Sequence, residues 1–154
     1  MFSPNASTGY QDTVINNDGF WPDINAGDFE RRRGTPADQD DENIAYALVA
    51  AIAEVNRQLS DQKLKYQEGG VQSASELTSS PSIGGKNAVV IQYERAVFAR
   101  AKADLLPDFA TVHQRNAGNN LAERSAETRS ELLAESQRII RNMCGLNRST
   151  VTLI

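Results

Sequence analysis

One cysteine, one histidine and one tryptophan in 154 residues set the first bounds on this sequence. A lone thiol, Cys144, forms no internal disulfide and no thiolate zinc cluster, and a lone histidine, His113, forms no multi-histidine metal site. His113 lies in a polar stretch far from Cys144, so the thiol lacks a base to activate it. Next to Met143 it reads as a core thiol. His113 reads as a solvated or capping side chain near the end of the second long helix. No apolar run approaches the roughly 20 residues of a bilayer-spanning helix. The opening Met1-Phe2-Ser3-Pro4-Asn5 has neither the basic region nor the apolar stretch of a secretory signal. No membrane partner is expected, and a reducing cytoplasm is the expected site of folding. Excess positive charge is missing as well. With 16 Lys and Arg against 20 Asp and Glu, the net charge is −4, and no global field exists to hold phosphates by counterion release.

Constellations for chemistry are equally scarce. Glu131 and Glu135 share a helix face but have no apolar pocket to raise a carboxyl pKa. The run Asp38, Asp40, Asp41 and Glu42 falls at a helix start, where negative charge is favoured, and reads as a dipole complement rather than a cation site. Gly84-Gly85-Lys86 continues into Asn87 without the upstream glycine of a P-loop. No catalytic residue, metal ligand or cofactor is assigned, and the sequence does not read as an enzyme.

What is present is an ordinary globular balance, 40% apolar and 23% charged, in a length suited to one domain. A short helix is expected over 27–33, and Thr35-Pro36-Ala37-Asp38 resembles a helix start. A first long helix follows, with Ile44, Leu48, Ile52, Val55 and Leu59 at steps of three and four and Glu54, Arg57, Asp61 and Lys65 on the opposite face. Residues 67–85, with Gly69-Gly70, many serines, Ser79-Ser80-Pro81 and Gly84-Gly85, read as an irregular connection. A second long helix, apolar nearly all round, is expected over 88–106, stopped by Pro107. After a polar connection holding Asn116, Gly118 and Asn119, a third opens with Asn120 and Glu123 in capping-box spacing and closes at Gly145. Its stripe is Leu132, Ser136, Ile139 and Met143, with Leu133 and Ile140 alongside; the first half looks thin. The fold class is all-α: a small bundle of three long helices plus a short N-terminal helix, spanning 25–146.

The two ends do not follow these periods. Residues 1–24 read as an extended N-terminal arm finishing in Phe20-Trp21-Pro22-Asp23-Ile24, and 147–154 as a strand-like tail with β-branched alternation. The large side chains Phe20, Trp21 and Ile24 must be buried somewhere, either on this chain's own helices or on a neighbour as interface anchors. The tail, carrying Arg148, Val151, Leu153 and Ile154, lies as coil on its own helices or pairs by β-addition with another chain. These seven residues are the candidate interaction sites.

Taken in order, Phe20-Trp21-Pro22-Asp23-Ile24, Tyr93-Glu94-Arg95-Ala96-Val97 and Arg148-Ser149-Thr150-Val151-Thr152-Leu153-Ile154 resemble segments of the head completion protein family of contractile-tailed temperate bacteriophages, the gpL family. The likeness covers residues 20–154. It implies an all-helical adaptor in the virion neck, assembled in the host bacterial cytoplasm as a ring, by analogy a dodecamer, beneath the portal protein. Such an adaptor closes the DNA-filled head, retains the packaged double-stranded DNA and offers a docking surface to the tail. Its implied partners are the portal protein, neighbouring copies, the next connector or tail terminator, and DNA passing through the lumen. The alternative is a DNA-recognition subunit of the packaging machinery. Arg31-Arg32-Arg33 is the only dense basic cluster and acids follow closely, which weighs against it. A packaging hydrolase or nuclease is disfavoured by the lack of clustered acids at metal spacing.

Overall fold

The structure, a computed structural model, describes residues 9–35, 39–117 and 120–145, with residues 109–127 followed through their backbone alone. Among these residues are five helices: α1 (Ala26–Arg33), α2 (Asp41–Gln58), α3 (Ser60–Glu68), α4 (Ala88–Ala117) and α5 (Asn120–Met143). Two short strands, β1 (Val14–Ile15) and β2 (Ile24–Asn25), pair antiparallel ahead of α1. The molecule is thus mainly helical with a small two-stranded sheet.

α1 is charged along most of its length and is fixed at both ends and by one side chain. The Asn25 carboxamide oxygen accepts from the amides of Gly27 and Asp28, and Gly34 closes the helix in the left-handed region at φ 61. Phe29, fully buried, meets Phe98 of α4 at 5.6 Å between ring centroids. α2 starts at Asp41, its amino end capped by Asp40, whose carboxylate accepts from the Asn43 amide at 3.1 Å. That start lies beyond the one expected at Thr35-Pro36, because an acid with a free amide three residues on is the better cap.

The apolar stripe of α2 is where the spacing puts it: Ile44, Leu48, Ile52, Val55 and Leu59 are all buried. The helix does not run on to Lys65. It breaks at Leu59, and α3 begins at Ser60 with none of its residues fully buried. Steps of three and four from Leu59 land on Gln62 and Lys63, so the stripe ends there and packing no longer holds the axis straight.

α4 is the central helix, with Val90, Tyr93, Val97, Phe98 and Leu105 buried along with alanines 96, 99, 101 and 103. α2 packs on one side of it and α5 on another, and α4 with α5 is the most extensive pairing. Small side chains allow the close approach: the buried Ser136 hydroxyl donates to the Ala96 carbonyl at 2.8 Å. The expected α5 stripe is in place, with Leu132, Ser136, Ile139, Ile140 and Met143 buried.

Pro107 does not end α4, which continues to Ala117 and carries the backbone of His113 within it. A proline removes one amide donor and crowds the carbonyl a turn earlier. Here Leu105 and Leu106 just before it are buried, and α4 makes its most extensive pairing with α5. The expected polar connection accordingly shrinks to residues 118–119, outside the described residues.

Candidate interaction surfaces

The N-terminal segment is extended but docked. It forms the β1–β2 pair, with Val14 opposite Asn25 and Ile15 opposite Ile24, and then lays its aromatic residues on the helices. Phe20, Trp21 and Ile24 are 3%, 2% and 1% exposed within the single chain. Of the two alternatives the sequence left open for these three, the single chain shows burial on its own helices, where they anchor the segment to the bundle. Trp21 stacks on Tyr93 of α4 at 4.9 Å and 3° between planes, and Phe20 meets Trp21 edge-on at 4.9 Å and Tyr66 of α3 at 6.1 Å. A nonpolar segment with helices of its own chain beside it minimises exposed area by docking on them.

Polar residues fix the geometry of that docking. The Asn17 side chain donates to the Tyr93 hydroxyl at 2.8 Å, Tyr93 donates to the Asn56 side-chain Oδ1 at 2.5 Å, and the Asn56 side chain donates back to Asn17 Oδ1 at 2.8 Å. These bonds close a ring linking the segment, α2 and α4. Burial, the main cause, raises the Tyr93 pKa well above the ordinary phenol value, against the opposing Asn17 hydrogen bond. The Asp18 carboxylate accepts from the amides of Phe20 and Trp21, each at 2.9 Å, and from Lys63 of α3 at 2.9 Å. Burial alone would raise its pKa, but the Trp21 amide, Lys63 and the Phe20 amide together hold it below the usual carboxylate range. Nearer the start, Gln11 donates to Glu30 at 2.6 Å, and the Ala26 amide donates to the Thr13 carbonyl at 2.8 Å. Gly27 is required there: a Cβ on it would overlap the Gln11 carbonyl oxygen.

The 67–85 connection is ordered from within. Asn87 donates to the carbonyls of Ala74 and Leu77, each at 2.9 Å, and accepts from the Val90 amide at 2.9 Å, so one side chain ties the connection and starts α4. Ile83 and Lys86 exchange backbone hydrogen bonds across Gly84 and Gly85, whose φ of 58 and 77 suit the two positive positions of a type I′ turn. The glycine pair therefore builds a tight turn that leaves Ile83 75% exposed.

At the junction of α1, α4 and α5, Arg33 pairs with Glu135 at 2.8 Å, and Lys102 donates to the Arg33 carbonyl at 2.6 Å. Burial, with Arg33 close by, lowers the Lys102 pKa against the pull of Glu135. Cys144 is half-buried against the core, and its burial raises the thiol pKa.

Two grooves open between α1, the Ile83 turn and α4. One, of about 240 Å³, contains Ile24, Val90 and Phe98 with Asp23 and Asp28 at its edge. The other, of about 280 Å³, contains Ile83, Ile91 and Phe98 between Arg32 and Arg95. The ion pair of Lys86 with Glu94, at 2.8 Å, divides them. On the far side of the molecule α2 exposes Tyr46 and Val49. Among the described residues, no group of His, Cys, Asp and Glu is placed to hold a metal ion, and no helix is long and apolar enough to cross a membrane. The tail residues Arg148, Val151, Leu153 and Ile154 lie outside the described residues.

The sequence reading missed Asn17, Asp18, Asn56 and Asn87 as organising residues. Asn17-Asp18-Gly19 carried a turn signal directly before Phe20-Trp21, and that juxtaposition was the available clue.

A mainly helical chain with a docked, aromatic N-terminal segment, carrying the ordered signature segments named above, is matched over residues 15–154 by the family described as phage head completion protein (GPL). The chain belongs to that family. It is 42% identical over 145 residues, 94% of this chain and 95% of the relative, to a protein of Haemophilus phage HP1 (strain HP1c1) named a probable head completion/stabilization protein. No solved structure gives a significant match.

Proposed function

We propose that the chain is a structural connector of the phage neck: a ring, of the dodecameric kind, that seats beneath the portal protein, closes the DNA-filled head and presents a surface to the next connector or tail terminator. Its identity over nearly the whole length of a head completion/stabilization relative carries this reading. In this role the chain acts by shape and adhesion, and no bond is made or broken by its side chains. The net charge of −4 fits a protein bordering packaged duplex DNA that must be retained and later released, since a basic lumen would hold the duplex by counterion release. The C-terminal tail, with Arg148, Val151, Leu153 and Ile154, serves as the extended grip on the portal or on the adjacent subunit.

The alternative, a DNA-recognition subunit, finds less support in the structure. Arg31 is paired with Asp28 and Arg33 with Glu135, so two members of the basic cluster are engaged within the chain. Electron microscopy of virions carrying a labelled copy tests the proposal. Label at the head-to-tail junction is the expected result, and label elsewhere on the particle would overturn it.

A further inference from the structure

α2 is apolar on two opposite sides. Ile44, Leu48, Ala51 and Val55 face the core, and Tyr46, 74% exposed, and Val49, 50% exposed, stand with the exposed Ala50 and Ala53 on the outer side. At about 100° per residue, positions 46, 49, 50 and 53 form one continuous stripe, directly opposite 48, 51 and 55. Glu42 falls in line with the amino end of this stripe and has no ion pair among the described residues, while Arg57, paired with Glu54, falls in line with its carboxyl end.

The groove of about 280 Å³ has the reverse character. Its floor is Phe98 and Ile91, its lip is the exposed Ile83, and its rim carries Arg32 and Arg95, which also have no ion pair among the described residues. At that volume it sits below the roughly 300–1,000 Å³ of typical small-molecule sites, and it suits one large side chain.

The two surfaces point away from each other. Tyr93 reaches Asn56 of α2 at 2.5 Å, so that side of α4 faces α2. Ile91 and Phe98 lie about 140–200° round α4 from Tyr93, on the far side. An apolar face with the unpaired Glu42 at one end and an apolar groove rimmed by the unpaired Arg32 and Arg95, on opposite sides of one chain, are complementary between copies but not within one copy. Contacts of this heterologous kind propagate in one direction and close into a ring when the rotation permits.

We infer that the outer face of α2 of one copy docks, Tyr46 foremost, into the groove of Ile83, Ile91 and Phe98 on the next copy, with Glu42 meeting Arg32 and Arg95. The inference rests on the ring proposed above and deepens it by naming the two faces. The tyrosine supplies an aromatic anchor at low entropic cost, and the guanidiniums can lie against its ring as well as on the Glu42 carboxylate.

The test uses the full chain with Cys144→Ala as background, carrying Tyr46→Cys, Ile83→Cys or both, treated with a short bismaleimide as purified protein and within phage particles. The double variant is expected to give a ladder of dimers, trimers and larger species on denaturing gels, while each single variant gives none. Arg32→Glu with Arg95→Glu, added to the double variant, is expected to lower ladder yield by about tenfold through like-charge repulsion, with unchanged helical circular dichroism. Dimers from Tyr46→Cys alone, or no ladder in either preparation, would overturn the inference. Sedimentation of the wild-type chain and the subunit count in particles separate this from the ring itself. Multimers without a ladder sink the assignment of faces and leave the ring standing, whereas single copies in both preparations sink both.

Discussion

Trp21 lies flat on Tyr93 with Phe20 against its edge, and it is 2% exposed. Its truncation to alanine removes a buried indole and leaves a cavity, so Trp21→Ala is expected to cost about 3–5 kcal/mol in a urea melt of the isolated chain. A loss confined to assembly, with unchanged unfolding, would contradict its place in the core. Among the described residues the indole N–H has no acceptor. Trp21→Phe, which keeps the stacking and deletes that donor, is therefore expected to lose clearly less than Trp21→Ala in the same melt. Tyr93→Phe acts through the polar side of the same contact. It takes away the donor to Asn56 and the acceptor for Asn17, both half-buried, for an expected cost of about 1–3 kcal/mol. At Gly27 the Gln11 carbonyl oxygen occupies the space a side chain would need, so it must move if one is added. Gly27→Ala is expected to loosen residues 11–13 and raise hydrogen exchange at the Ala26 amide, whose acceptor is Thr13.

Among the elements, the docked N-terminal segment carries a pH dependence. Asp18 has a folded-state pKa below its ordinary value, so its contribution is full above the unfolded pKa and is lost as pH falls through the folded value. The stability gap between wild type and Asp18→Asn is expected to be largest near neutral pH and to close in that acidic window, as measured by melts over a pH series. α4 makes a second element-scale prediction. Pro107 deprives an interior turn of one donor, so Pro107→Ala is expected to raise the thermal midpoint; a drop would mean that the proline shapes the α4–α5 contact. The helices with strong periodicity were legible in the sequence: the α2 stripe and the Leu132-to-Met143 stripe of α5 are buried as spaced. The break at Leu59 and the passage of α4 through Pro107 were not, because one depends on where apolar side chains run out and the other on a neighbouring helix. The strands β1 and β2 were hidden for a related reason, since two residues each are too few to show alternation. Of the candidate site residues, Phe20, Trp21 and Ile24 were legible as side chains needing burial; which molecule buries them was a question of tertiary geometry that no local pattern encodes.

At the scale of the whole molecule, the chain belongs to the phage head completion family and matches a head completion/stabilization relative over nearly its whole length. If the tail is a grip, deleting residues 148–154 is expected to abolish attachment to portal-bearing heads while leaving helical circular dichroism largely intact, and attachment at normal levels would sink that role. The bundle is expected to tolerate the deletion because, among the described residues, the core is assembled from Phe20 to Met143. That core closes in a particular order during synthesis. The partners of Phe20 and Trp21 are Tyr66 and Tyr93, and Asn17 also waits for Tyr93. On the ribosome, the aromatic segment emerges early and stays without its platform until α4 has left the exit tunnel. Nascent chains halted before Tyr93 therefore present Phe20 and Trp21 to chaperones and proteases, and chains released past α4 withdraw them.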